Sequence, residues 1–119
     1  MPDQWHRALL RAELRELGYD ALGAPEVAGA LLYPAEEPGR GAVGLILIDQ
    51  RALTTTGHAL LPELLARHQA PAVLLAPGGG PPAAGPWIRV LSRPLSIADL
   101  TRTVQALLPP AGNASRPTL

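Results

Sequence analysis

The carboxylate with the most suggestive position in this sequence is Asp49, which directly follows the apolar run LILI at residues 45–48. That run predicts a buried strand, and the ligands of open parallel sheets bind at the carboxyl ends of such strands. A carboxylate there can act on a ligand bound at that edge, or it can cap the turn that follows the strand. Asp49 is therefore the candidate catalytic residue, with both roles open.

A second candidate for phosphate chemistry is Arg93, which precedes Pro94. Its planar guanidinium suits an anion, so Arg93 is the candidate residue for neutralising a phosphoryl group. The alternative is an ion pair between Arg93 and Asp49 that holds the protein permanently in one conformation.

Two tryptophans, Trp5 and Trp87, are the candidate interaction residues. Either can fill the core. Trp5, near a chain end, can also anchor a protein partner, and its exposure together with that of Leu9 would favour this role.

Composition excludes several classes of site. All ten basic residues are arginine, so a P-loop, a Schiff base and a lysine general base are excluded. The chain has no cysteine, which excludes thiol nucleophiles, disulfides and cysteine-based metal sites. A net charge of zero argues against a nucleic-acid partner. The three histidines lack metal-ligand spacing, and no serine lies in a G-x-S-x-G elbow.

The sequence predicts a cytoplasmic protein without a membrane partner. Its longest apolar stretch, residues 42–48, is far shorter than the roughly 20 residues that span a bilayer. The N-terminal segment is charged and amphipathic and shows no secretory signal.

Helices and strands alternate in the predicted structure of the chain. Residues 5–17 predict a helix that ends at Gly18, residues 20–24 a weak strand, and Pro25 a second helix that Pro34 ends. Residues 43–48 predict a strand buried on both faces, and Thr54, Thr55 and Thr56 can cap a helix that runs to about residue 69.

The second half of the chain adds two further strands, at residues 72–76 and 87–91. Between them lies PGGGPPAAGP, in which proline and glycine exclude a regular helix. Ser96 and Asp99 form a capping-box pair for a last helix, which the prolines at 109–110 end. The pattern predicts an α/β fold with a parallel sheet, one domain over residues 1–108 and a flexible tail over residues 109–119.

This order of elements resembles the receiver domain of bacterial response regulators, over residues 7–108. GLILID is similar to the family's third strand, APAVLLA to its fourth, and RVLSRPLSIADLTRTVQALL to its fifth strand, Lys-Pro signature and last helix. The resemblance implies a flavodoxin-like, doubly wound parallel sheet. The first strand would be missing, and a Pro/Gly loop would replace the fourth helix.

The resemblance also implies roles for individual residues. Asp49 would be the phospho-acceptor, and Asp3 would join it in binding magnesium if the protein is phosphorylated. Arg93 stands where the family has its lysine, Ala76 where it has a serine or threonine, and Val90 where it has an aromatic switch residue. Of the family's chemical set, only Asp49 is retained.

The family's strand order, 2-1-3-4-5, places the first strand at the centre of the sheet, but this sequence opens on the first helix. The strand at 20–24 would then pair directly with 43–48, a partner chain would donate a strand, or the true start would lie upstream. We expect the last of these, because the amphipathic pattern elsewhere is complete.

The resulting functional hypothesis is a degenerate receiver-like signalling domain that binds a protein: a kinase, an output protein or a second copy of itself. It would be no enzyme and need no cofactor. The alternative is a phosphorylatable receiver of a two-component phosphorelay, in which Asp49 accepts a phosphoryl group from a histidine kinase and magnesium is required. A flavodoxin-like fold that binds a small ligand near residues 77–86 is a third possibility.

Overall fold

We describe a computed structural model of the chain over residues 4–37, 41–108 and 117–118. Its helices and strands, in chain order, are α1 (Gln4–Glu16), α2 (Val27–Ala30), β1 (Glu36–Glu37), β2 (Gly41–Ala42), β3 (Leu45–Asp49), α3 (Thr55–His68), β4 (Ala72–Ala76), β5 (Trp87–Ser92), α4 (Ile97–Leu107) and β6 (Pro117–Thr118). A short 3-10 turn, Gln50–Ala52, joins β3 to α3.

The main sheet has the strand order β5-β4-β3-β6, and all of its pairings are parallel. β1 and β2 form a separate antiparallel pair. The predicted α/β class with a parallel sheet is therefore confirmed.

Helices cover both faces of this sheet. Leu45 and Leu47 of β3 belong to a core cluster with the buried leucines of α1, and α4 contributes Leu100 and Val104 to the same cluster. The alternate residues of β3, Ile46 and Ile48, belong to a second cluster with residues of α2 and α3. Because successive strand residues point to opposite faces, the two clusters form separate layers. This explains why all five β3 residues are buried.

The last helix follows its predicted start signal closely. The Asp99 N–H donates to Ser96 Oγ, and the Ser96 N–H donates to Asp99 Oδ2, each at a distance of 3.0 Å. This capping box satisfies amides that the first turn leaves unpaired, and α4 begins at Ile97. At α3, the Thr54 hydroxyl accepts from the Gly57 N–H over 3.2 Å, as expected of an N-cap.

Two predicted elements are shorter than expected. The segment 20–24 forms a single bridge at Leu22 instead of a strand, although most of its side chains are buried. The second helix occupies only Val27–Ala30 and ends before Pro34.

Residues 77–86 contain turns and no helix, as the prolines and glycines predict. The segment is held in place by hydrogen bonds at its far end. The Ala83 N–H donates to Gln50 Oε1 over 3.0 Å, and Trp87 Nε1 donates to the Ala83 carbonyl over 2.8 Å. The loop is thus fixed next to the turn that follows β3.

The position beside β3 on the side away from β4 is taken by β6. Among the described residues, segment 20–24, whose direct pairing with β3 was one of the expected solutions for the missing strand, contributes no strand to the main sheet. Residues 109–116 and 119 of the predicted tail lie outside those parts. Within them, no helix has the length and apolar content needed to cross a bilayer.

Candidate functional site

The candidate site lies at the carboxyl end of β3, where Asp49 is the last strand residue. Its side chain is only 1% exposed. An ionised carboxylate that leaves water at this depth is stable only if charges or hydrogen bonds compensate for the lost hydration. The partners of Asp49 therefore decide what the site can do.

Arg51 supplies the first set of partners. Its backbone N–H donates to Asp49 Oδ1 over 3.0 Å, and its Nε lies 3.2 Å from each carboxylate oxygen. Its Nη2 donates to Oδ2 over 2.7 Å. An aspartate that accepts from the backbone two residues later closes a local turn, and here that turn is the start of the 3-10 segment. Asp49 thus caps the turn after β3, one of its two predicted roles.

Arg93 supplies a second guanidinium from the end of β5, two strands away from β3 in the sheet. It follows β5, and because β3, β4 and β5 are parallel, their carboxyl ends lie at one edge. The Arg93 N–H donates to the Ala76 carbonyl over 3.0 Å, which extends the β4–β5 ladder. From there Arg93 Nη2 forms an ion pair with Asp49 Oδ2. The structure therefore brings together Asp49 and Arg93.

The two arginines set the protonation state of Asp49. Burial by itself raises the pKa of the Asp49 carboxyl. The side-chain and backbone hydrogen bonds from Arg51, and the positive charges of Arg93 and Arg51, outweigh that effect and hold the pKa below its ordinary value. Asp49 is consequently a carboxylate at neutral pH, with both oxygens engaged.

The donor set of this cluster does not fit magnesium. Magnesium in such sites is held by carboxylate oxygens, whereas Asp49 faces two guanidinium groups that would repel a cation. Ala76, at the end of β4, offers no side-chain oxygen, and the candidate ligand Asp3 lies outside the described residues. Among those residues, no three histidines or carboxylates are grouped as metal ligands. The chemistry supported at this edge is charge neutralisation by arginine.

Arg51 is the functional residue that sequence reasoning missed. The signal was present, since an arginine two residues after a strand-terminal aspartate is placed to pair with it once an Asx-type turn forms. Arg51 is half exposed and lines an open cleft with Glu26, Thr54 and Thr56, so the arginine itself is reached from solvent on that side.

The two candidate interaction residues lie in different surroundings. The Trp5 side chain is 79% exposed and Leu9, one helical turn later on α1, is 50% exposed. Trp87 is partly buried against the second core cluster, and its indole nitrogen is bound by the Ala83 carbonyl. The structure separates them: Trp87 secures the 77–86 loop, while Trp5 and Leu9 form an apolar surface on α1.

Comparison of the chain with protein-family models, with curated proteins and with solved structures found no match.

Proposed function

We propose that this chain is a receiver-like protein-interaction module in which Asp49 is neutralised by arginines and does not accept phosphoryl groups. The observation that carries the proposal is the position of Asp49 Oδ2, which accepts from both Arg51 and Arg93. In a receiver that is phosphorylated, a free carboxylate oxygen has to reach a phosphoryl group beside a divalent cation. Here that oxygen already has two cationic partners.

Electrostatics support the same reading. Asp49 is paired with two guanidinium groups, which disfavour magnesium beside it and already supply the neutralisation that phosphoryl chemistry would require. Reaching a phosphoryl group would require breaking an ion pair of the buried Asp49 carboxylate, which is costly because it leaves a buried charge less well compensated.

The arrangement of the sheet supports a flavodoxin-like, receiver-type fold as part of this proposal. The run β3-β4-β5 is parallel, helices cover both faces, and Asp49 and Arg93 lie at the carboxyl edge. The loop at 77–86 takes the place of a crossover helix, which leaves Val90 of the edge strand β5 partly exposed.

The proposed docking surface is the apolar surface of α1 formed by Trp5 and Leu9. Tryptophan is among the residues that contribute most binding energy when they insert into a partner's pocket. Adjacent exposed apolar side chains on one helix are also a surface that a partner can desolvate.

Phosphorylation tests the first half of the proposal. The purified chain is incubated with acetyl phosphate and Mg²⁺, beside a phosphorylatable receiver domain as positive control, and intact masses are measured. We expect no phosphoryl adduct on the wild-type chain. An adduct close to one per molecule that is lost in Asp49→Asn would overturn the proposal and establish the alternative, a phospho-accepting receiver.

Capture from native cytoplasmic extract tests the second half. The wild-type chain is compared with Trp5→Ala/Leu9→Ala and with Leu32→Ala, a matched control that removes a leucine 84% exposed elsewhere on the surface. We expect wild type and Leu32→Ala to retain the same proteins, with or without acetyl phosphate, and the double variant to lose them. Equal capture by all three, or capture that depends on acetyl phosphate, would contradict the proposal.

A further inference from the structure

The edge of β3 that faces away from β4 presents buried backbone groups. On the β4 side, the Ile46 N–H donates to the Pro71 carbonyl over 3.0 Å. Because successive residues of a strand direct their backbone groups to alternate edges, Leu45 and Leu47 direct theirs to the opposite edge. Both residues are buried, so their N–H and C=O groups need partners within the protein.

β6 lies at this edge, in parallel register with Leu45 opposite Pro117 and Ile46 opposite Thr118. In a parallel ladder of this register, the Thr118 N–H is the donor for the Leu45 carbonyl and the Thr118 carbonyl is the acceptor for the Leu47 N–H. Pro117, which has no N–H, falls where no donor is needed. Within the described parts of the chain, β6 is the strand that satisfies this edge.

We propose that this edge of β3 is a strand-accepting site, filled by the chain's own C-terminal segment and able to bind an added peptide of the same sequence. The pairing of β6 is short: two residues, against four paired positions between β3 and β4. A pairing of only two residues opens locally at a low free-energy cost, and an extended peptide gains main-chain hydrogen bonds when it adds to such an edge. The edge is formed by backbone groups of Leu45 and Leu47, which are not members of the arginine cluster or of the α1 surface.

The cis pairing can be observed directly in the unaltered chain by NMR. We expect a through-hydrogen-bond scalar coupling between the Leu47 amide nitrogen and the Thr118 carbonyl carbon. Light scattering on the same sample should show a monomer. Absence of the coupling would overturn the pairing of β6 with β3. A dimer that shows the coupling between two copies would overturn pairing within one chain.

Amide exchange gives a second test through two matched variants of the full chain. Thr118→Pro removes the N–H donor, whereas Thr118→Val keeps it. We expect the Leu47 amide to exchange about tenfold faster in Thr118→Pro and at the wild-type rate in Thr118→Val, with the Ile46 amide unchanged in both. Equal Leu47 exchange in all three chains would contradict the proposal.

Peptide binding tests the acceptor site itself. A fluorescent peptide with the sequence of residues 111–119 is titrated with the wild-type chain and with Thr118→Pro. We expect at least about tenfold tighter binding to Thr118→Pro, because its own strand competes less well, and no binding of a peptide that carries proline at the threonine. Equal binding of both peptides, or binding of neither, would overturn the proposal that the β3 edge accepts an added strand.

Discussion

Asp49 and Asp99 each accept a backbone N–H and form an ion pair with an arginine, but they do so in opposite surroundings. Asp49 ends a buried strand and is 1% exposed. Asp99 lies in the first turn of α4, and its side chain is 41% exposed beside Arg102. The pKa of both carboxyls lies below its ordinary value, but the causes differ.

The hydrogen bonds of the capping box with Ser96 are the main cause of the lowered pKa of Asp99, and the ion pair with Arg102 adds to it. At Asp49, burial works in the opposite direction, so the ionised state depends on Arg51 and Arg93. The two ion pairs of Asp49 therefore stabilise a buried charge, whereas the ion pair of Asp99 with Arg102 adds little to a helix start that the capping box already stabilises.

The largest effect is expected from removing both cationic partners of Asp49. The variant Arg51→Ala/Arg93→Ala leaves a buried carboxylate without a counter-charge, and we expect the free energy of unfolding to fall by about 3–5 kcal/mol. Urea unfolding at neutral pH measures this. A loss no larger than that of Arg102→Ala would show that Asp49 does not need its arginines.

Removing Arg93 alone should cost less, because Arg51 still neutralises Asp49. We expect Arg93→Ala to lower the free energy of unfolding by about 1.5–3 kcal/mol, the contribution typical of a hydrogen bond to a charged group. Arg93→Lys is the matched control, which keeps the charge and should recover part of the loss. Identical urea midpoints for wild type and Arg93→Ala would contradict the ion pair.

The next largest effect is expected in the pH dependence of stability, to which the two aspartates contribute differently. Both folded-state pKa values are lowered, so both carboxylates stabilise the fold above the unfolded value of about 3.9, and that contribution is lost as pH falls through the folded values. Screening by salt weakens the exposed pair more than the buried one. We expect the urea midpoint of the wild-type chain to fall between neutral pH and pH 3, in high salt as well as in low salt. In Asp49→Asn the midpoint should depend less on pH at both salt concentrations. A wild-type midpoint that rises toward acid would contradict this sign.

A smaller effect is expected at the capping box. Ser96→Ala removes the hydroxyl that accepts from the Asp99 N–H, and we expect a loss of about 1 kcal/mol of unfolding free energy. Thr54→Ala, at the N-cap of α3, is the comparison and should cost a similar amount. Thermal and urea unfolding together measure both, and an unchanged stability of Ser96→Ala would show that the box contributes nothing.

The smallest effect is expected at Arg102. Its ion pair with Asp99 is exposed, and surface pairs of this kind contribute little. Arg102→Ala should leave the urea midpoint unchanged within error. A marked fall in the urea midpoint would show that the exposed ion pair of Asp99 contributes to stability as the pairs of Asp49 do.

Local signals in the sequence predicted local structure well. The capping box at Ser96 and Asp99 and the helix-free segment at 77–86 depend on neighbouring residues, and both are present. The buried strands β3 and β4 were predicted because a continuous apolar run is typical of a sheet covered on both faces.

The features that the sequence did not predict depend on contacts at a distance or on turn geometry. β6 is two residues long, too short for a periodic pattern, and its pairing with β3 joins distant parts of the chain. Arg51 is local, but its role depends on the turn that Asp49 closes. The pairing of Asp49 with Arg93 was predicted as one of two alternatives, because a sequence places both residues at one edge without deciding whether they touch.

A carbon-13 NMR titration of the wild-type chain, with Asp99 as internal reference, reports the protonation of the Asp49 carboxyl directly. Neutralisation by Arg51 and Arg93 predicts that Asp49 titrates below its ordinary pKa of about 3.9. It further predicts a higher pKa for Asp49 in Arg93→Ala, while that of Asp99 stays as in wild type. An Asp49 carboxyl whose pKa in the wild-type chain lies at or above its ordinary value would contradict neutralisation by Arg51 and Arg93.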